Sequence, residues 1–216
     1  MSTGGCQPAD VVAAMQALDA SGLNTGSAGN ASCRSATGSV WITPSGVPAS
    51  ALVESSIVEL SMNGETTEPG AIPSSEWRLH RDIYAARADV HAIVHTHSSY
   101  ATALACQRRD IPAFHYMVAV AGGDSIRCSG YATFGTQMLS DAAIAALGDR
   151  NACLLANHGV VALGSTPAKA VSLAIEVEQL ARQYCIASSL APPVILSREE
   201  MSEVLEKFKT YGQRID

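Results

Sequence analysis

The chain has 216 residues, 47% of them apolar, enough to fill a sizeable core. No linker interrupts it, so residues 1–216 read as a single domain. The formal net charge of −6 argues against bulk attraction to nucleic acid or to an anionic membrane. No apolar run reaches the ~20 residues needed to span a bilayer. The opening "MSTGGCQPAD" has neither the basic nor the apolar part of a secretory signal, so the expected setting is cytoplasmic. The six cysteines, Cys6, Cys33, Cys106, Cys128, Cys153 and Cys185, form no C-x-x-C pair. Their scatter reads as reduced thiols rather than a disulfide framework.

In chain order, "PADVVAAMQALDASGLN" spaces Val11, Val12, Met15 and Leu18 as on a helix that stops at Gly22. "TGSAGNASCRS" is rich in small residues and reads as a loop. "SVWIT" and "SSIVELS" are β-branched runs and read as strands, with "TPSG" as a turn between them. "MNGE" supplies the Asn-Gly of a hairpin turn. "PSSEWRLHRDIYAARAD" reads as a helix opening on Pro73, Ser74 and Ser75. "VHAIVHTH" follows as a strand, then "SSYATALACQRR" as a helix capped by Ser98 or Ser99. "GTQMLSDAAIAAL" is a helix stopped by Gly148. "NACLLANHGVVALG" reads as two short strands around a turn at residues 157–159. Thr166 and Pro167 open a long helix, and a capping box between Ser197 and Glu200 opens the last one. The mixed order implies a central sheet with helices on its faces, α/β in the broad sense.

Three of the six histidines fall in "HAIVHTHSSY". Residues i and i+2 of a strand share a face, so His95 and His97 project together, and Ile93 and His91 share their parity. Such a pair fits either a polar strand face or half of a metal site. His158, at a sharp turn in "LLANHGVV", is the better third ligand, with His115 in "PAFHYM" as its competitor. Three neutral imidazoles with an open fourth position describe a catalytic zinc site. Glu76 opens a helix just before the histidine strand. It fits a first-turn acid that complements the helix dipole, or a carboxylate that ligates the ion and acts as a base.

Three loops share one chemistry: "GSAGNAS", "TPSG" and "PSSE" offer backbone N–H groups and small hydroxyls. Ser74 and Ser75 sit at a helix N-terminus, which favours an anion, and glycine allows close backbone approach. None matches a P-loop or a dinucleotide fingerprint. Together with the histidines they point to a small phosphorylated substrate. The only lysines, Lys169, Lys207 and Lys209, lie on polar helix faces, so a buried Schiff-base lysine is not expected.

In order, "GNASCR", "ITPSG", "PSSEWRLH", "HAIVHTHSSY", "HYMVAVAGGDSI", "YATFGT", "NHGV" and "VLEKFKTYGQRI" resemble the class II aldolase/epimerase family from about Gly22 to the C-terminus. The resemblance implies a central, mainly antiparallel β-sheet flanked by helices on both faces. It implies a homotetramer with active sites between subunits and one Zn2+ per subunit. His95, His97 and His158 resemble the zinc ligands, and Glu76 the acid/base that also ligates zinc at rest. Ser27, Gly29, Asn30, Ser45, Gly46, Ser74 and Ser75 resemble the phosphate and substrate contacts. Tyr116 resembles a tyrosine that a neighbouring subunit supplies to protonate the aldehyde oxygen. Phe134 and Tyr211 resemble residues that shape the aldehyde pocket.

The implied activity is reversible cleavage of a ketose 1-phosphate, L-fuculose 1-phosphate for preference, to dihydroxyacetone phosphate and an aldehyde, L-lactaldehyde. The family also holds an L-ribulose-5-phosphate 4-epimerase, a thio-ribulose-phosphate dehydratase and a non-catalytic adducin-head module. Three ligand histidines and a glutamate favour catalysis, and the "HYM" and "YGQRI" segments favour the aldolase.

Overall fold

The structure is a computed structural model and describes residues 5–209. Six strands form one sheet: β1 (Asn30–Arg34), β2 (Val40–Ile42), β3 (Val58–Leu60), β4 (Ala92–Thr96), β5 (Ala152–Leu155) and β6 (Gly159–Gly164). Their order is β3-β2-β1-β4-β6-β5, and every neighbouring pair runs antiparallel. The helices are α1 (Pro8–Ala20), α2 (Trp77–Ala86), α3 (Ser99–Cys106), α4 (Gln137–Leu147), α5 (Pro167–Leu190) and α6 (Arg198–Phe208).

The pleat divides the core in two. Ala31, Cys33, Ala92, Val94, Val160 and Ala162 face one side and pack with α1, α3 and α5. Ile93, Cys153, Leu155, Val161 and Leu163 face the other and meet α2 and α4. The fold is therefore the class expected: an antiparallel sheet with helices on both faces. No described helix is long and apolar enough to cross a membrane.

Three local readings are corrected. The second half of "TGSAGNASCRS" is not loop but β1, a central strand between β2 and β4. It lacks β-branched residues because Ala31 and Cys33 fit a tight core, while Asn30 and Ser32 turn buried polar groups toward α2. Residues 73–75 are not helical: Pro73 bridges Pro44, Ser75 and Glu76 form a turn, and α2 starts at Trp77 with Glu76 at its cap. Ser74 N–H bonds Thr43 O at 2.9 Å, and Ser45 N–H bonds Ile72 O at 3.1 Å, so this segment pairs with the "TPSG" turn. Lastly, Cys6 and Cys33 form a disulfide, while Cys106, Cys128, Cys153 and Cys185 are free. The Cys6 N–H bonds Arg34 O at 3.2 Å, which lays the N-terminal segment along β1 and brings the two thiols together.

Arg34, at the end of β1, fixes α2 against the strand. Its guanidinium donates to the carbonyls of Val90 at 2.8 Å, Arg87 at 3.2 Å and Tyr84. A cation there satisfies carbonyls that the helix end leaves without partners.

Candidate active site and metal centre

β4 ends at Thr96, and the pleat turns His95 toward α2, where it is fully buried. Its Nδ1–H donates to Val160 O on β6 at 3.0 Å, so the tautomer leaves Nε2 bare. That Nε2 lies 2.9 Å from His97 Nε2. His158 reaches the same point from the turn between β5 and β6, with its ring 4.7 Å from the His95 ring. Ligand atoms of His95, His97 and His158 all lie within 4.8 Å of one another. His115 is elsewhere: its Nδ1 accepts from Met117 N–H and caps the six-residue 3₁₀ segment Tyr116–Ala121. His91 is exposed and contributes only backbone bonds.

Gly159 makes the cluster possible. A Cβ there would lie 2.3 Å from Thr96 O and 2.9 Å from the His97 ring. Gly29 has φ +77°, and a Cβ there would meet the Asn24 amide and His95 O at 2.6 Å.

Glu76 is 5% exposed. Its Oε2 lies 3.1 Å from His95 Nε2 and accepts from Asn30 Nδ2 at 2.9 Å. Its Oε1 lies 3.4 Å from His158 Nε2 and has no hydrogen-bond partner. Burial acts to raise this carboxyl, but the His95 and His158 imidazoles and the Asn30 amide outweigh it and hold it below the usual range. Burial, with His158 and His97 adding to it, pushes His95 down to about 4 despite the opposing pull of Glu76. Burial and His158 also lower His97. Imidazole nitrogens converging beside an orphaned carboxylate oxygen fit a divalent cation, and the nitrogen-rich set suits zinc better than magnesium or calcium.

A cavity of about 380 Å³ opens above the cluster. The three small-residue loops meet in it: Ser27, Gly29 and Asn30 from the first, Ser45 and Gly46 from the second, Ser74 and Ser75 from the third. Glu76, His97 and His158 form its floor, and Phe134 stands on its rim. No lysine or arginine lines it among the described residues, so an anion would bind backbone N–H groups and hydroxyls. Tyr116 is not brought to this cavity by its own chain; it is half-exposed and stacks on His115. Tyr211 lies outside the described residues.

Sequence reasoning passed over Tyr131, Ala132 and Asn157, which also line the cavity. Tyr131 and Ala132 begin "YATFGT", and Asn157 precedes the candidate ligand His158, so position beside those motifs was the available signal. The buried His80 also went unassigned. It lies four residues after Glu76 on the same helix face, a spacing that could have found it.

The fold and the site together fit a metal-dependent enzyme acting on a small anionic substrate. Residues 9–185 match the Class II Aldolase and Adducin N-terminal domain family, and the chain belongs to it. A 5-methylthioribulose-1-phosphate/5-deoxyribulose-1-phosphate aldolase of Rhodospirillum rubrum is 56% identical over 191 residues, covering 88% of this chain and 86% of that protein. L-fuculose phosphate aldolase of Escherichia coli K12 is 50% identical over 196 residues, 90% of each chain. A solved L-fuculose 1-phosphate aldolase matches with TM-score 0.91 at 40% identity, covering 97% of this chain and 100% of that one. The chain is thus an enzyme, a class II aldolase.

Proposed function

We propose that this aldolase reversibly cleaves a ketose 1-phosphate, L-fuculose 1-phosphate in the first instance, to dihydroxyacetone phosphate and L-lactaldehyde. The observation that carries this reading is the meeting of three imidazoles, Glu76 and three anion-suited loops around one cavity. His95, His97 and His158 would hold Zn2+, which when bound supplies a Lewis acid for the negative charge that develops beside the carbonyl. Ser27, Gly29, Asn30, Ser45, Gly46, Ser74 and Ser75 hold the phosphate end. The phosphate is remote from the bond that breaks, so its binding energy orients the reacting atoms.

In the condensation direction, Glu76 removes the proton from the carbon next to the carbonyl, and Tyr116 protonates the aldehyde oxygen. In cleavage, Tyr116 accepts the C4 hydroxyl proton and Glu76 returns one to C3. Tyr116 comes from a second copy of the chain, which its position away from its own cavity supports; the assembly proposed is the homotetramer. The proposed setting is the cytoplasm, where the Cys6–Cys33 pair would be reduced.

A second substrate, a 5-deoxy- or 5-methylthio-ribulose 1-phosphate, is favoured by the named activity of the R. rubrum relative and by Tyr131 and Phe134 on the rim. Both substrates present the same phosphate end and differ in the aldehyde. A coupled assay for dihydroxyacetone phosphate across a panel of ketose 1-phosphates, with and without chelator, tests the reading. Chelator-sensitive release from one or more of them is expected. No release from any would sink it.

A further inference from the structure

Glu76, His80 and Tyr84 recur at four-residue intervals and share one face of α2 and its cap. Asn30 and Ser32 lie two apart on β1 and share one face of the strand. Four helical residues rise ~6 Å and two strand residues ~6.7 Å. The two rows therefore stay in step, and hydrogen bonds join them like rungs. The Tyr84 hydroxyl lies 2.9 Å from Ser32 Oγ, and Ser32 Oγ lies 2.6 Å from His80 Nδ1. His80 Nε2 lies 2.5 Å from Asn30 Oδ1, and Asn30 Nδ2 lies 2.9 Å from Glu76 Oε2. His80 is wholly buried, and none of the other four is more than 5% exposed, so bulk water does not compete for these bonds.

The last acceptor sets the direction of every bond. An ionised Glu76 can only accept. Asn30 must then turn its NH2 to Glu76 and its carbonyl to His80, so His80 Nε2 must carry a proton. A neutral imidazole has one such proton. Nδ1 is therefore bare and accepts from the Ser32 hydroxyl, which accepts in turn from Tyr84. The other tautomer would set the Nε2 lone pair against the Asn30 carbonyl. Turning the amide to relieve that clash would set its oxygen against the Glu76 carboxylate.

We propose that His80 is a positioning residue: acting through the Asn30 amide, it holds Glu76 Oε2 and leaves Oε1, beside His158, free as the proton acceptor. Oε1 is the oxygen without a hydrogen-bond partner. The use of Oε1 as the acceptor rests on the proton transfer assigned to Glu76 above; the orientation of the chain does not. The Asn30 side chain thus spends its carbonyl and one N–H inside the protein, and only its second N–H remains for substrate.

Two measurements test this. In ¹⁵N–¹H spectra of histidine-labelled protein at pH 7, the His80 signals, assigned by their loss in His80→Gln, are expected to show a neutral Nε2–H tautomer. An Nδ1–H tautomer or an imidazolium overturns the proposal. In turnover, His80→Leu is expected to lower kcat by ~10- to 100-fold, with KM and bound metal nearly unchanged. His80→Gln, which restores an N–H near the Nε2 position, is expected to recover most of that loss. In an Asn30→Ala background, His80→Leu is expected to cost less than ~2-fold more, because no amide is left to position. Equal losses in both backgrounds overturn the proposal, as does a folded His80→Gln with no recovery. If His80→Leu does not fold, the tautomer and the Gln variant decide. The tautomer needs no substrate, so it reads the relay even where the unaltered chain turns over no ketose 1-phosphate.

Discussion

Glu76 has one oxygen held by the Asn30 amide and the other facing His158 without a hydrogen bond. Such a carboxylate suits proton transfer, because its basic oxygen is aimed before substrate arrives. Glu76→Gln is expected to keep bound metal and lose turnover by ~100-fold or more; near-normal turnover would remove the carboxylate from the proton step. His95→Ala and His158→Ala should each lower bound metal, and stoichiometric zinc in both by elemental analysis would mean that the ligands are misassigned. His80 makes a prediction about acid. Burial, with His95 adding to it and Glu76 opposing, pushes its pKa down to about 3. A histidine whose pKa is lowered by folding binds more protons when unfolded, so stability is lost as pH falls below ~6.5 toward that value. Between pH 7 and 5 the chelated protein should lose up to about 2 kcal/mol more than His80→Gln does. Equal losses in urea titrations would show that His80 does not stay neutral.

At the scale of elements, the long periodic pieces were legible and the site-building pieces were not. α5 and α6 carry their caps as written, with Thr166 accepting from Lys169 N–H and Ser197 from Glu200 N–H. β1 was hidden because it bears the demands of two surfaces at once, small residues for the core and polar ones for α2. The start of α3 was half legible: Ser98 is the cap residue, but Glu178 on α5 accepts the N–H groups of Tyr100 and Ala101, both at 2.9 Å. Sequence spacing cannot reveal a cap supplied from 78 residues away. The β5–β6 turn makes a testable demand. Gly159→Ala would drive a methyl group into Thr96 O and the His97 ring. It should cost roughly 1–3 kcal/mol in denaturant titration and reduce bound metal as well. Unchanged stability and metal content would show that the turn absorbs the methyl without moving the histidines.

At the scale of the whole molecule, the cavity belongs to no single stretch of chain. Its walls come from residues 27–30, 44–46, 74–76, 97, 131, 132, 134 and 157–158, carried to one end of a six-stranded sheet. If Tyr116 completes it from a second copy, Glu76→Gln and Tyr116→Phe chains co-expressed in mixed assemblies should regain about a quarter of normal activity, because random pairing reunites both groups at that share of sites. No recovery would place Tyr116 and Glu76 of the same chain in one site. By itself the sequence determined the histidine pair, two candidates for a third imidazole, the nearby carboxylate and the small-residue loops. These are chemical identities at local spacings, and a strand pleat or a helix cap projects them predictably. Only the tertiary structure decided that His158 rather than His115 joins the pair, that the three loops share one cavity, and that Asn30 lies between His80 and Glu76. Those choices depend on which strands and helices pack side by side, and that is set by burial across the whole sheet rather than by neighbours in the chain.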